Sequence, residues 1–194
     1  MYHENSNLIF LKGERVALRT LIEDDASTLL EIVHSDLARF NTLQLTPKTI
    51  DDEIAFIRSS RSGGKFPTNL VFGIHYLKED RLIGTMGVGK IDWVSRTATT
   101  GSLIGYEELV GVGLGSEAKM MLLDYAFNTL NLRLIDSEAW AFNGRSNGSL
   151  KKCGYQELFR LKGKVFKAGE YHDAVVYECT RESFEEARKN YVTK

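Results

Sequence analysis

Ile104-Gly105-Tyr106-Glu107-Glu108-Leu109-Val110-Gly111-Val112-Gly113-Leu114-Gly115-Ser116-Glu117-Ala118 is the stretch on which the reading of this chain turns. An apolar run closes at Ile104-Gly105, a loop follows with glycine at alternate positions, and the loop opens into a helix. That helix carries Leu114, Ala118, Met121, Leu122, Tyr125, Ala126 and Leu130 along one stripe. The first N–H groups of a helix have no partner inside it, and together with the helix dipole they form a ready anion site. Glycines before such a start let the chain turn sharply and let a phosphate reach the backbone without meeting a Cβ. Two familiar phosphate loops match poorly or not at all. No Gly-Lys-Ser/Thr follows at the nucleoside-triphosphate spacing. Counted from Gly111, the sixth place holds Ser116 where the dinucleotide fingerprint needs glycine. The glycines by themselves fit a flexible loop before a helix equally well.

Working outward, three strand-like runs precede the loop: Leu70 to Leu77, Leu82 to Trp93 and Ala98 to Tyr106, separated by turns at residues 78–81 and 94–96. They read as an antiparallel meander. Upstream, residues 8–20 alternate as an extended segment, and Glu23 to His34 repeats at helical spacing with Asp24 and Asp25 at its positive end. A second helix is predicted from Pro47, a residue suited to a first helical position, with Ile50, Ile54 and Ile57 on one face and an end at Ser59 to Gly64. Downstream lie a strand over Leu132 to Phe142, a short helix from Arg145 to Cys153 closed by Gly154, and strands over Tyr155 to Phe166 and Tyr171 to Thr180. A polar helix over Arg181 to Tyr191 ends the series. This order predicts an α/β (α+β) fold on one mixed sheet, a single domain over residues 1–194 with its core at about 8–182.

Composition sets the outer bounds. The chain has 194 residues, 43% of them hydrophobic and 26% charged, with a formal net charge of −1. That is enough chain for a full core without staples, and the charge balance argues against a broad basic field for nucleic acid. No apolar run approaches the roughly 20 residues that span a bilayer. The N-terminus has no basic segment leading into a long apolar one, so no membrane anchor or secretory leader is expected. Two cysteines, Cys153 and Cys179, make no disulfide framework, and four scattered histidines have no metal spacing, so no metal site is expected and the expected setting is cytoplasmic.

The glycine segment resembles the acetyl-CoA-binding loop of the GNAT superfamily of N-acetyltransferases, Arg/Gln-x-x-Gly-x-Gly/Ala. Gly113 and Gly115 match the small positions and Glu117-Ala118 the helix opening, while Val110 and Val112 stand where basic or amide side chains are usual. A second block, Asn143 to Tyr155 with Lys152, Gly154 and Tyr155 in register, is similar to the family's Asn-x-x-Ser-x-x-x-Leu/Tyr-x-Lys-x-Gly-Phe/Tyr. A third, Gly169-Glu170-Tyr171-His172-Asp173, is similar to a Gly-x-Tyr-x-Asp of the branch holding ribosomal-protein N-terminal and small-amine acetyltransferases. The resemblance runs from about residue 11 to 182.

The resemblance implies an antiparallel meander plus a splayed parallel strand pair around a central helix, with acetyl-CoA in the wedge. Leu103, Ile104 and Gly105 would line its pantetheine arm. Amides of Gly111, Val112, Gly113, Leu114, Gly115 and Ser116 would meet the diphosphate, and Asn143, Ser146 and Ser149 would touch the arm. Asn and Ser also favour helix capping, and the two roles are compatible. The implied reaction is direct attack of a primary amine (small amine, amino sugar or protein N-terminus) on the thioester. An alkyl amine is only about one part in a thousand neutral at pH 7, so a carboxylate or ordered water has to take a proton. Asp92 is the first candidate and Asp173, beside His172, the second; Phe40, Asn41 and Trp93 are the expected acceptor wall. Some relatives protonate the departing thiolate with a tyrosine, at a place held here by Leu150. Homodimers are common in the family, and the oligomeric state stays open. Val110, Val112 and Leu150 also motivate the alternative of a non-catalytic acyl-CoA-binding regulatory module.

Overall fold

A computed structural model describes residues 8–60 and 64–192; residues 1–7, where a leader was sought, and 61–63, at the expected end of the second helix, lie outside them. The extended segment over 8–20 is two strands, β1 (Ile9–Lys12) and β2 (Val16–Arg19), folded back on each other at Gly13. Helix α1 spans Ala26–His34. A further short helix, α2 (Asp36–Asn41), follows at once; the Ser35 hydroxyl accepts from the Ala38 N–H at 3.1 Å and restarts the helix after a single extended residue. Helix α3 begins at Ile50 and ends at Ser60 rather than starting at Pro47. Thr49 and Asp52 explain the shift: the Asp52 carboxylate accepts from the Thr49 N–H (2.8 Å), and the Thr49 hydroxyl accepts from the Asp52 N–H (3.2 Å). This reciprocal cap fixes the start.

The meander is β3 (Leu70–Tyr76), β4 (Arg81–Asp92) and β5 (Thr97–Ile104). Helix α4 (Leu114–Asp124) widens into a π-helical turn over Tyr125–Thr129 and leads to β6 (Leu134–Trp140). Then come α5 (Gly144–Lys152), the long hairpin β7 (Gln156–Lys167) and β8 (Glu170–Thr180), and α6 (Arg181–Val192). The eight strands form one mixed sheet in the order β1-β2-β3-β4-β5-β6-β8-β7, antiparallel except for β5 and β6.

Neighbouring residues on a strand face opposite sides of a sheet. Ile83 joins the main core with Leu114, Ala118, Leu122, Phe127, Tyr177 and Phe184, whereas Leu82 joins Leu21, Leu29 and Ile57 beneath α1 and α3. The sheet is therefore covered on both faces, with α4 at the centre of the larger core. Beyond its apolar stripe, α4 also buries Glu117 and Lys119, because the β1–β2 turn and α5 close in on its flanks. No helix among the described residues is long and apolar enough to cross a membrane.

Candidate functional site

The parallel ladder between β5 and β6 is short. Thr97, Ala98 and Thr99 pair with Leu134, Ile135 and Asp136, and pairing stops there, although both strands continue. At the point of separation the Ser137 hydroxyl donates to the Thr100 carbonyl (3.2 Å), which takes that carbonyl out of the ladder. The Thr100 hydroxyl shares a 2.6 Å hydrogen bond with the buried phenol of Tyr155. These contacts fix the apex of a wedge. Its walls are Thr100–Ile104 and Ser137–Trp140, and it widens into a cleft of about 530 Å³, the size range of small-molecule sites. The edge of β5 that faces β6 offers backbone groups to an extended ligand, as a sheet edge does to an added strand.

The glycine loop sits on this cleft. Gly111 and Gly113 hold φ of +83° and +93°, a left-handed geometry that disfavours side chains. Gly113 is the N-cap of α4 and, among the described residues, no side chain caps that end. The loop is tied down from behind. The Glu117 carboxylate, buried in the first turn of α4, accepts from the Arg15 N–H (2.8 Å), the Arg15 Nε (2.8 Å) and the Val16 N–H (3.3 Å). Arg15 also donates through Nη1 to the Val112 carbonyl at 2.9 Å. A sequence-local reading misses this lock, because its partners are about a hundred residues apart.

The residues expected at the site divide into three groups. Leu103, Ile104, Gly111, Gly113, Gly115, Ser116, Asn143, Ser146, Ser149 and Asn41 all line the cleft. Asn143 also caps α5, accepting from the Ser146 N–H at 3.0 Å, and Ser149 and Ser116 join α5 to α4 through their hydroxyls at 3.0 Å. Gly105, Val112 and Leu114 belong to the same segment but do not form the walls. A Cβ on Gly105 would lie 2.5 Å from Ile32, Val112 is turned outward, and Leu114 is in the core. Phe40 packs at a tilt against Phe142, ring centroids 5.0 Å apart, off the lining surface.

Three of the expected residues lie outside the cleft lining. Asp92 pairs opposite Thr97, at the closed end of the parallel pair, away from the wedge. Its carboxylate accepts from the Ser95 and Val94 N–H groups (both 2.9 Å), bonds that close the β4–β5 turn and hold it below the usual carboxylate range. Asp173 is on β8, one strand beyond β6. The Lys162 ammonium (2.8 Å) and the Gly163 N–H (3.0 Å) engage it and likewise keep its carboxyl low. Trp93 is at the closed end beside Asp92, donating to the Pro67 carbonyl (2.9 Å) and meeting Phe66 edge to face. The carboxylate that does line the cleft is Glu138, the only one among the described lining residues. Its place on β6, one residue past Ser137, could have been found from the strand's alternation had the wedge been located first.

A sheet split at one parallel pair, with an uncapped helix start on the split, is suited to an elongated phosphate-bearing ligand. The GNAT acetyltransferase domain model matches residues 15–156. The probable N-acetyltransferase YjcK of Bacillus subtilis is 35% identical over 174 residues, covering 85% of this chain and 94% of its own. Among solved structures, Mycobacterium smegmatis RimJ in complex with CoA-disulfide superposes with a TM-score of 0.77 at 20% identity, covering 92% of this chain and 88% of its own. The microcin C7 self-immunity acetyltransferase MccE, in complex with acetyl-CoA and AMP, gives 0.74 at 19%, covering 87% and 93%. The chain belongs to the GNAT acetyltransferase family, and it is an acetyl-CoA-dependent acetyltransferase.

Proposed function

We propose that the wedge between β5 and β6 is the acetyl-CoA site and that the acceptor is a primary amine, on a small molecule or a protein N-terminus. The observation that carries this reading is the meeting of an uncapped α4 N-terminus with an unpaired strand edge in one cleft. The residues present fit the cofactor. The amides bracketing 111–116 suit a diphosphate, the free edge at Leu103 and Ile104 suits the amides of pantetheine, and Asn143, Ser146 and Ser149 border the same space. When bound, acetyl-CoA supplies an acetyl group activated as a thioester.

The chain's own part is to orient the amine and take its proton. Glu138 is the cleft's carboxylate, and a carboxylate acting directly or through one water is a competent acceptor as the nitrogen loses a proton. Leu37, Asn41 and Thr42, from α2 and its C-cap, form the side of the cleft next to Glu138 and Trp140 from which an acceptor would enter. The Asn41 amide is held in place by the Leu37 carbonyl at 2.9 Å.

The test is CoA release with polyamine, aminoglycoside, amino-sugar and peptide acceptors, run beside calorimetry with CoA. Acetylation of a primary amine supports the proposal. CoA binding without transfer to any acceptor would favour the regulatory-module alternative, and no CoA binding would overturn the site.

A further inference from the structure

Lys119 is the residue of α4 that the scheme above leaves unused. The residue is 3% exposed, yet it lines the cleft. No acceptor among the described residues takes a hydrogen bond from its Nζ, and the thiols of Cys153 and Cys179 lie near it. Among the described residues no sealed side-chain polar atom lacks a partner, so the amine is not entombed; its tip meets the space of the cleft. A buried lysine stem with a wet tip and no carboxylate is costly to keep, since charge without a partner is disfavoured in the interior.

Its surroundings place it at the inner part of the cleft. It lies beyond the first turn of α4, whose N–H groups face the loop end. It faces the α5 surface formed by Ser149, Leu150 and, at the C-cap, Cys153, whose Sγ lies 3.6 Å from the Ser116 carbonyl. Leu150 has no proton to donate. The reaction has a requirement at this depth: as the amine nitrogen bonds to the acetyl carbon, the carbon–sulfur bond breaks and its electron pair stays on sulfur.

We propose that Lys119 is the cation that faces the sulfur of CoA and stabilises, then protonates, the departing thiolate. The inference rests on the cofactor placement proposed above. Its proton balance is closed: the amine proton passes to Glu138 or solvent, an Nζ proton of Lys119 passes to sulfur, and solvent reprotonates the lysine. Burial brings the Lys119 ammonium down to about 8, close to the ~8.5 of a free thiol, so the transfer is nearly balanced in energy. The groups around it stay constant through neutral pH. Burial pushes the Cys153 thiol up to about 12 and the Cys179 thiol up to about 11, and it raises the Tyr155 phenol well above its ordinary value. Among the described residues the other charged groups facing the cleft are Glu138, Arg145 and Lys152, the last against the ring of Tyr191.

The experiment is ultraviolet thiolate absorbance of CoA bound to the wild-type protein and to Lys119→Met at about pH 7, where free CoA is almost wholly thiol. The cysteines of the protein contribute nothing there. The wild type is expected to bind CoA with a thiolate signal, its sulfur ionising at least about one pH unit below free CoA. Lys119→Met is expected to bind CoA with that signal lost. Affinity for desulfo-CoA is expected to be equal in the two proteins. Absence of thiolate in the wild-type complex overturns the assignment, and needs no variant. Weaker desulfo-CoA binding by Lys119→Met also overturns it, because the lysine would then be meeting another part of the carrier. Failure of CoA to bind the wild type overturns the cofactor placement as well, which separates the two failures.

Discussion

Replacing Lys119 by methionine should make the protein more stable while removing a functional group. Methionine retains most of the apolar stem and fills the same channel between α4 and α5, so the change is mainly removal of a buried, poorly partnered charge. The unfolded chain holds this proton up to about 10.5 and the folded chain only up to about 8. Between those values the unfolded state binds more protons, so wild-type stability rises with pH across that window. Below pH 8 the folded state carries the whole penalty, which at about 1.4 kcal/mol per pH unit comes to about 3 kcal/mol. Urea denaturation of both proteins measures it. Lys119→Met should exceed the wild type by about 3 kcal/mol at pH 7 and by only about 1.4 kcal/mol near pH 9.5, where the folded lysine is already neutral and the unfolded one is still mostly charged. Taking the difference cancels every other group that titrates. A variant less stable than wild type at pH 7, or a gain that is flat with pH, would refute the claim that this amine is buried without a partner.

Glu138→Gln should lower the rate of amine acetylation by about 100- to 10,000-fold with CoA affinity unchanged in calorimetry. Asp92→Asn and Asp173→Asn should both keep near wild-type turnover, since one carboxylate closes a turn and the other answers Lys162; a loss on the scale of Glu138→Gln would return the base to them. Glu117→Met strands the Arg15 and Val16 N–H groups behind the loop, and at about 1–3 kcal/mol for each buried donor it should lower the melting temperature and weaken CoA binding together. Gly113→Val forces a β-branched residue to φ +93° with Arg15 3.2 Å from its Cβ; CoA affinity should fall by more than about tenfold as the loop relaxes out of the left-handed geometry, at a cost of about 1–2 kcal/mol.

The fold was legible because it is written in local periodicities. Alternation from Leu70 to Ile104 marks the meander, and the stripe from Leu114 to Leu130 marks the central helix. Glycine at 111, 113 and 115 marks a place where a side chain would obstruct the backbone. These signals lie within a few residues of each other, and a single sequence carries them. Element starts were less legible where a cap competes with a propensity, as at Thr49 and Asp52 against Pro47.

The chemistry of the cleft was decided by the tertiary structure. Asp92 and Trp93 end a strand that looks well placed in sequence, but antiparallel pairing sends that end to the closed side of the wedge. Glu138 and Lys119 are one acid and one amine among many in the sequence; only the divergence of β5 from β6 after Thr99 and Asp136 brings them into one space. The Arg15–Glu117 lock joins residues far apart along the chain. Sequence determines which segments turn, extend or coil, because those preferences are local. Which side chains share a solvent-poor cavity depends on strand register and on where a ladder stops, and those are settled only when the whole sheet packs.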